Sequence, residues 1–312
     1  MTTIGIDVGG TSVRAGVVDH RGTVLDTARG STPVGETELE DVICALVDEL
    51  RDRHPITAIG LAVAGFVADD RRTVRFAPHL PWRDAPVADR ITARTGLPVV
   101  LEHDANAAGV AEHRFGALRG AHVGLLIALG TGIGAALLLD GEVFRGAYGV
   151  APELGHLRVV PNGRRCSCGK AGCWERYCSG TALAATAIGL LGRHRGQSTI
   201  LAREAKRDPG GITGRLVAAA ARDGDPVARL ALQELAKWLG EGLALVADIY
   251  DPELVVLGGG VSESAPLFLD SAREHYQRIA TGAGHRPVAR IRTAHRGDSA
   301  GLVGAAALAA HS

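Results

Sequence analysis

Three of the five cysteines in this 312-residue chain fall within eight residues, and a histidine lies upstream of them. Cys166, Cys168 and Cys173 follow His156, with glycines interleaved among them. One imidazole and three thiolates complete a tetrahedral zinc shell, and a shell with no open position is structural. A chance cluster of reduced thiols is the alternative, but the tight spacing favours a structural zinc site.

Two carboxylates bracket the predicted zinc ligands. Glu153 lies three residues before His156, and Glu175 lies two residues after Cys173. A bound metal would therefore hold the two carboxylates beside each other. Because carboxylates accept hydrogen bonds from hydroxyl groups, this pattern predicts a site for a polyhydroxylated ligand.

A second group of residues lies near the N-terminus, where an apolar run ends in an aspartate and turns at two glycines. Asp7 would stand at the tip of this strand, well placed to hold Mg²⁺ directly or through water. Gly9, Gly10 and Thr11 form the turn, whose backbone N–H groups can cradle phosphate oxygens because no Cβ blocks close approach. An ordinary hairpin would use the same glycines, so the turn alone leaves both interpretations open.

The same arrangement returns roughly 120 residues later. Residues 123–129 predict a strand, Gly130, Thr131 and Gly132 a turn, and residues 135–139 a return strand. Each copy then passes through a further glycine turn into a short third strand. Two such loops facing across a cleft would suit one polyphosphate nucleotide.

A third glycine cluster follows the buried-strand pattern of residues 254–257 and consists of Gly258, Gly259 and Gly260. Backbone without side chains there would let a purine and its ribose lie close, whereas a tight strand-to-helix turn is the structural alternative. The chain lacks the G-x-x-x-x-G-K-[ST] sequence of P-loop proteins. Residues 7–10 also lack the spacing of a dinucleotide-binding fingerprint.

Apolar periodicity outlines the elements that would carry these residues. Residues 39–50 place apolar side chains on one face of a helix, which Thr37 and Glu40 would open as a capping box. Residues 192–214 are rich in glycine and basic residues and predict a loop or insertion. The other predictions are strands at 56–63 and 98–101 and helices at 105–115, from Thr181, at 226–250 and at 297–310.

The composition argues against nucleic acid and membrane partners. Lys and Arg number 34 and so do Asp and Glu, so no net basic charge favours nucleic acid. No run approaches the roughly 18 apolar residues of a membrane span, and the chain opens on a strand pattern rather than a signal peptide. Cys44 and Cys178 lie outside the predicted metal site, and reduced thiols predict a cytoplasmic protein.

Together these motifs resemble the ROK family of sugar kinases and repressors, within the actin-like ATPase superfamily. The resemblance spans nearly the whole chain, and the zinc ligands with their flanking glutamates are its most specific part. It implies an α/β, two-lobed actin-like ATPase (ribonuclease H-like) fold with a central ligand cleft. Residues 1–118 and about 298–312 would form a small lobe, and residues 119–297 a large lobe.

The family's enzymes phosphorylate the 6-hydroxyl of hexoses, and its repressors carry a DNA-binding domain ahead of the phosphate motif. Asp7 lies too close to the start of this chain for such a domain, which favours an enzyme. The resemblance therefore implies ATP and a sugar as ligands, Mg²⁺ as a cofactor and a homodimer as the assembly.

Phosphoryl transfer to an alcohol needs a carboxylate to accept the alcohol's proton. Asp104 stands between a predicted strand and a predicted helix, where an aspartate ordinarily serves as an N-cap. The resemblance implies instead that Asp104 is the general base, because it falls on the family's catalytic motif. The same resemblance places four residues around the sugar hydroxyls: Gly65, Glu153, His156 and Glu175.

Two histidines depart from the pattern of the family's glucokinases. Asn usually precedes the base, where this chain has His103, and Asn usually follows Pro in a P-N-L-x-W segment, where it has His79. An amide and a neutral imidazole place their donor and acceptor atoms differently. Altered recognition of sugar hydroxyls would follow, unless His103 faces away from the sugar or replaces Asn without effect.

The sequence thus predicts an ATP- and Mg²⁺-dependent hexose 6-kinase with one structural Zn²⁺. Its sugar would be D-glucose or a close amino-glucose analogue such as kanosamine. The alternatives are an N-acetylmannosamine kinase, a polyphosphate-using glucokinase and a non-catalytic sugar sensor. An intact Asp104 and both glycine loops argue against the sensor, and the predicted purine platform at residues 258–260 favours ATP.

Overall fold

The computed structural model describes residues 2–193, 199–208 and 210–310. Those residues form an α/β structure with two five-stranded sheets and one three-stranded sheet. The strands are β1 (Thr2–Val8), β2 (Ser12–Val18), β3 (Val24–Ser31), β4 (Ile56–Val63), β5 (Phe66–Val67), β6 (Val74–Phe76), β7 (Arg83–Ala85), β8 (Val99–His103), β9 (Val123–Leu129), β10 (Ile133–Leu139), β11 (Glu142–Val143), β12 (Leu254–Gly258) and β13 (Arg290–Thr293). The helices are α1 (Glu36–Arg51), α2 (Val87–Thr95), α3 (Asp104–Phe115), α4 (Gly180–Arg193), α5 (Ile200–Arg207), α6 (Gly214–Arg222), α7 (Pro226–Tyr250), α8 (Leu269–Ile279) and α9 (Ala300–Ala309).

The first sheet has the strand order β3-β2-β1-β4-β8. β2 is antiparallel to β1 and β3, whereas β4 is parallel to β1 and β8 is parallel to β4. The register pairs Asp7 with Ala62 and Ala62 with Glu102, so the carboxyl ends of three parallel strands meet at one edge. Ligands of open α/β sheets bind outside this edge, so the topology brings Asp7 and the start of α3 to a ligand-binding position.

The second sheet has the order β11-β10-β9-β12-β13, which matches the order of the first sheet strand for strand. β10 and β11 are antiparallel, and β12 and β13 are parallel. In each copy the turn before the third strand contains a glycine with a positive φ, a conformation that favours glycine. These residues are Gly22 in the first copy and Gly141 in the second. The predicted repeat of strand, glycine turn, strand, glycine turn and strand is therefore confirmed.

The C-terminal helix α9 packs tightly against the first sheet because glycines remove the intervening side chains. A Cβ on Gly5 of β1 would collide with the carbonyl of Leu302, and one on Gly60 of β4 would collide with the carbonyl of Ala305. Gly304 of α9 makes an equally close approach to the backbone of α3. The predicted C-terminal helix is confirmed, and it packs on the sheet that carries Asp7.

Helix α7 runs for 25 residues and confirms the helix predicted over 226–250. Pro226 occupies its first turn, where a missing N–H costs nothing, and the Asp225 carboxylate accepts hydrogen bonds from the N–H groups of Val227 and Ala228. None of the helices in the described ranges is both long and apolar enough to cross a membrane.

Two local predictions are wrong. Residues 192–214 were predicted as a loop or an insertion, and the loop is wrong because the segment contains helix α5. The Thr199 hydroxyl caps this helix by accepting a hydrogen bond from the N–H of Ala202, and Leu201 is buried on its apolar side. Residues 194–198 and 209 of that segment lie outside the described residues. The capping box does not form either: α1 begins after Gly35, and Glu40 pairs with Arg90.

The chain divides into two compact units. Unit 1 comprises residues 1–126, 136–152 and 294–312, and unit 2 comprises residues 127–135 and 153–293. Residues 119–126, 136–152 and 294–297, which the predicted boundaries place in the large lobe, belong to unit 1. The division separates the candidate functional residues into two sets.

Candidate active site and metal centre

The four predicted zinc ligands converge in unit 2. Their ligand atoms, the imidazole nitrogen of His156 and the sulfurs of Cys166, Cys168 and Cys173, all lie within 4.8 Å of one another. Cys166 Sγ is 3.7 Å from His156 Nδ1, and Cys168 Sγ is 3.6 Å from Cys173 Sγ. Ligands on a zinc tetrahedron with ordinary bond lengths stand about 3.6–3.8 Å apart. The geometry and the thiolate-rich donor set both fit Zn²⁺.

Tight turns bring the cysteines together. Two β-bridges, between Arg158 and Cys173 and between Arg165 and Ala171, fold the segment back on itself. Gly172 has a positive φ, and a Cβ on it would collide with the carbonyl oxygen of Val160. The glycines between the cysteines therefore permit the fold that the zinc ligands require.

The two bracketing carboxylates lie on either side of the His156 ring. Glu153 Oε2 is 3.8 Å from Nε2, and Glu175 Oε1 is 3.8 Å from Nδ1. Glu175 Oε1 also lies 3.0 Å from Cys166 Sγ. Nδ1 of His156 thus faces the cysteines, while Nε2 faces Glu153, so one imidazole can serve a metal and an external ligand at once.

The three thiols of this cluster differ in acidity. Burial, followed by the Glu175 carboxylate, raises the pKa of Cys166 to about 12. Burial also pushes the pKa of Cys168 upward, but hydrogen bonds from the Lys170 N–H and the other two thiols outweigh it and lower that pKa. A metal ion would compete with a proton most strongly at Cys166, since only thiolates ligate zinc.

The second glycine loop lies beside Glu175 in unit 2. The N–H of Gly130 donates to the carbonyl of Gly132 at 3.0 Å, and the N–H of Gly180 donates to the carbonyl of Gly130 at 2.8 Å. A Cβ on Gly132 would collide with Oε2 of Glu175, whereas a Cβ on Gly130 would meet open space among the described atoms. Thr131 between them is exposed, so the loop presents its tip to solvent.

The third glycine cluster follows β12 at the same edge of the second sheet. Gly259 has a φ of 77°, and a Cβ there would collide with the backbone of Leu129, so a tight strand-to-helix turn requires this glycine. Gly260 faces open space within the described residues, and Gly258 is buried at the end of β12. Gly260 is thus the member of the cluster that is open to a ligand.

In unit 1 the first glycine loop is held by the end of β3. The Gly9 N–H donates to the carbonyl of Ser12 at 3.1 Å, and the Thr32 hydroxyl donates to the carbonyl of Gly9 at 2.6 Å. The Thr32 N–H donates to the carbonyl of Thr11. Gly10 is exposed, and a Cβ on it would press against Cβ of His79 at 2.9 Å.

Asp7 is largely buried beside this loop, and Arg14 of β2 donates a hydrogen bond to its Oδ2. Burial raises the pKa of Asp7 above its ordinary value of 3.8 although Arg14 opposes the rise. The negative charges of Asp104 and Asp298 raise this pKa further, which shows that the three carboxylates share one neighbourhood. The sequence prediction assigned no role to Arg14 or Asp298, because their proximity to Asp7 is visible only in the folded chain.

Asp104 is the first residue of α3, and its side chain is 43% exposed. Its Oδ1 accepts a hydrogen bond from the N–H of Ala105 at 2.7 Å and lies 3.2 Å from Nε2 of His103. The carboxylate forms no side-chain cap on α3, whose N-cap is His103. The N-cap interpretation of Asp104 is therefore wrong, and its carboxylate stays available at the sheet edge.

Behind Asp104 lies a buried ion pair that sequence reasoning missed. Glu102 is 4% exposed, and its Oε2 accepts hydrogen bonds from Nε and Nη2 of Arg145 at 2.9 and 2.6 Å. Its Oε1 accepts from the N–H of His103 and from Nδ2 of Asn106. The only sequence signal was a glutamate in an otherwise apolar strand, a position that requires a cation partner when buried.

The remaining predicted sugar residues of unit 1 lie in the turns near β5–β7. A Cβ on Gly65 would collide with the carbonyl of Phe76, so this glycine permits close packing of two segments. His79 is exposed in a turn organised by Arg83, whose Nη1 donates to the carbonyls of Ala77, Leu80 and Trp82. His79 therefore borders the first glycine loop, whereas His103 contacts Asp104.

A family model described as the ROK family matches residues 3–312, and the chain therefore belongs to the ROK family. It is 44% identical over 307 residues to a glucokinase of Streptomyces coelicolor, covering 98% of this chain and 97% of that protein. A solved ROK family glucokinase from Streptomyces griseus, in complex with glucose and AMPPNP, is also 44% identical, with a TM-score of 0.89 and 100% of both chains covered. A ROK hexokinase from Thermus thermophilus is 34% identical with a TM-score of 0.82, covering 100% of this chain and 98% of that one.

These similarities establish the fold of the chain and its class of enzyme. The α/β actin-like ATPase fold predicted from the sequence is confirmed, because the solved ROK kinases share it over the full chain. Within the family, this chain is a sugar kinase.

Proposed function

We propose that this protein transfers the γ-phosphoryl group of ATP to the 6-hydroxyl of D-glucose or a close amino-glucose analogue such as kanosamine. The proposal depends mainly on the hydrogen bonding of the Asp104 carboxylate at the edge of the first sheet. Its Oδ1 is occupied by the Ala105 N–H and His103, and no described residue hydrogen-bonds Oδ2. An oriented carboxylate with one open oxygen is what a general base for an alcohol needs.

In this mechanism Asp104 Oδ2 accepts the proton of the sugar hydroxyl as the hydroxyl oxygen bonds to phosphorus and the bond to the leaving diphosphate breaks. Asp7 would hold Mg²⁺, since its Oδ1 is a hard oxygen donor that does not hydrogen-bond Arg14. The turns that carry the exposed residues Gly10 and Thr131 would offer N–H groups to the phosphates, and the open backbone at Gly260 would lie beside the purine.

Sugar hydroxyls would be bound by three side chains of the metal cluster region and by residues of unit 1. Glu153 and Nε2 of His156 lie on the side of the cluster away from the cysteines, as a ligand site requires. Glu175 would provide a further carboxylate. Zn²⁺ would keep these groups in place without taking part in the transfer. Gly65, His79 and His103 of unit 1 are the further sugar-binding residues of this proposal.

The glucokinases similar to this chain support glucose and ATP as substrates, since one is solved with glucose and AMPPNP. The proposal of an amino sugar rests on His103. Nε2 of His103 lies 3.2 Å from Oδ1 of Asp104, so Nδ1 is the ring nitrogen left for a ligand, and in the neutral ring it can accept from an amine when the proton is on Nε2. The assembly is proposed to be a homodimer in the cytoplasm, with the lobe boundaries predicted from the sequence.

N-acetylmannosamine kinase, polyphosphate glucokinase and sugar sensor remain the alternatives, and one assay separates them. Release of ADP should be measured across glucose, 3-amino-3-deoxyglucose, mannose and N-acetylmannosamine, with ATP or polyphosphate as the donor. Turnover of glucose or its 3-amino analogue with ATP at least tenfold above the other pairs is expected. A preference for N-acetylmannosamine or polyphosphate, or binding without turnover, would replace the proposal with the matching alternative.

A further inference from the structure

The buried carboxylate of Glu102 stands two residues before Asp104 and divides its hydrogen bonds between two partners. Oε2 receives a forked pair of bonds from the Arg145 guanidinium, at 2.9 and 2.6 Å. Oε1 receives the N–H of His103 at 3.1 Å and Nδ2 of Asn106 at 2.9 Å. One oxygen therefore binds the arginine, and the other binds the backbone before Asp104 and a side chain after it.

A carboxylate at 4% exposure keeps its charge only if cations and hydrogen-bond donors replace the lost water. Two donors of the Arg145 guanidinium bond one oxygen of this carboxylate, and such charge-assisted hydrogen bonds are among the stronger ones in proteins. The second cation, Arg71, has its Nε 3.6 Å from Oε2, which is beyond hydrogen-bonding distance. Arg145 is therefore the principal hydrogen-bonding partner that orients Glu102.

Arg145 itself is tied into its own segment of unit 1. Its Nη1 donates to the carbonyl of Val143, and its carbonyl accepts the N–H of Ala151 at 3.0 Å. The guanidinium is thus fixed from its own side as well as by Glu102. Both ends of the Arg145–Glu102 pair are immobilised, so the orientation of Glu102 Oε1 is determined by well-defined contacts.

We propose that Arg145 is a positioning residue for the general base: through Glu102 it fixes the turn between β8 and α3, and so the carboxylate of Asp104. This inference rests on the proposed function, in which Asp104 accepts the hydroxyl proton. A displacement of about 1 Å in a reacting group lowers turnover by up to about 10²-fold, whereas ground-state sugar contacts made by other residues persist. Loss of Arg145 should therefore lower kcat much more than it raises the KM for sugar.

The test compares Arg145→Met and Arg145→Lys with Arg296→Met. Arg296 is a matched control, since it is a partly buried arginine of unit 1 that donates to the carbonyls of Gly22 and Phe115 and does not contact Glu102. Thermal unfolding gives the Tm of each variant, and kinetics are measured about 15 °C below the lowest Tm. Arg145→Met should lower kcat about ten- to hundredfold and change the KM for glucose less than about threefold. Arg145→Lys, which keeps the charge and one donor, should recover part of the loss, and Arg296→Met should retain kcat.

A double-mutant cycle then separates positioning from general damage. In an Asp104→Asn background the base is already absent, so adding Arg145→Met should lower kcat less than about twofold further. Equal effects of Arg145→Met in both backgrounds, or a kcat unchanged by it in the wild type, would overturn the inference. Full turnover by Asp104→Asn alone would instead remove Asp104 as the base and overturn the proposed function.

Discussion

Nε2 of His103 lies 3.2 Å from Oδ1 of Asp104, so the residue before the proposed base contacts the base directly. The two residues straddle the junction of β8 and α3, where His103 ends the strand and Asp104 begins the helix. A neutral imidazole can make this contact only with the proton on Nε2, which leaves Nδ1 as an acceptor. The contact therefore leaves Nδ1 as the ring nitrogen of His103 that is available to a ligand.

His103→Asn tests whether Nδ1 of His103 accepts a hydrogen bond from the sugar. The mutation should shift kcat/KM toward glucose and away from a 3-amino sugar by roughly three- to tenfold, because one hydrogen bond contributes about 0.5–1.5 kcal/mol. His79→Asn is a useful comparison, since His79 lies against Gly10 rather than Asp104. An unchanged preference in the His103 variant, measured by competition between the two sugars, would show that His103 only orients the base.

Asp104→Asn tests the base itself. The amide keeps the size of the side chain and still accepts from the Ala105 N–H, but it cannot take up the hydroxyl proton. We expect kcat to fall by about 10²-fold or more and the affinity for glucose to stay within about tenfold, as measured by steady-state kinetics and calorimetry. More than a tenth of wild-type turnover in the variant would contradict the assignment.

Metal analysis and thiol labelling test the zinc site. Protein purified without chelator should contain one zinc per chain and resist alkylation at the four-residue cluster. After chelation Cys168 should react first, because it is exposed and its pKa is lowered, whereas the pKa of Cys166 is raised to about 12. Alkylation of Cys168 should therefore persist to lower pH than that of Cys166.

Two controls accompany that measurement. Cys168→Ala should lose stoichiometric zinc and raise the KM for sugar, while Cys44→Ala, in a buried position outside the cluster, should keep the metal. Wild-type protein without zinc would contradict the assignment of the cluster as a metal site.

Asp7→Asn tests how much the buried charge of Asp7, at the proposed magnesium site, lowers the free energy of unfolding. Burial raises the pKa of Asp7, so the folded state binds more protons than the unfolded state as pH rises from 3.8 through the raised pKa. The free energy of unfolding falls across that window, and the loss persists at neutral pH. Asp7→Asn should therefore raise Tm by a few degrees at pH 7, with a smaller gain near pH 4, while kcat falls about 10²-fold or more. A lower Tm at pH 7, measured without Mg²⁺ or nucleotide, would mean that the Arg14 interaction outweighs burial.

The sequence alone was sufficient for the features that depend on local spacing. The zinc ligands lie within eighteen residues, from His156 to Cys173, and short turns carry them together. The repeated strand and glycine-turn patterns likewise predicted β1–β3 and β9–β11, since strand periodicity and glycine conformations are local properties. Family resemblance supplied the fold, which the solved ROK kinases confirm.

Other features depended on contacts between distant parts of the chain. Helix α5 escaped prediction because a basic, glycine-flanked segment is helical here only with Thr199 as its cap and Leu201 buried. Arg145 reaches Glu102 across 43 residues, and Asp298 joins Asp7 from the other end of the chain. No periodicity or motif marks such pairs, because burial and charge pairing are decided where strands and helices meet in space. The contact of His103 with Asp104 is local in sequence, yet the direction of its ring depends on the backbone at the β8–α3 junction, which only the folded chain defines.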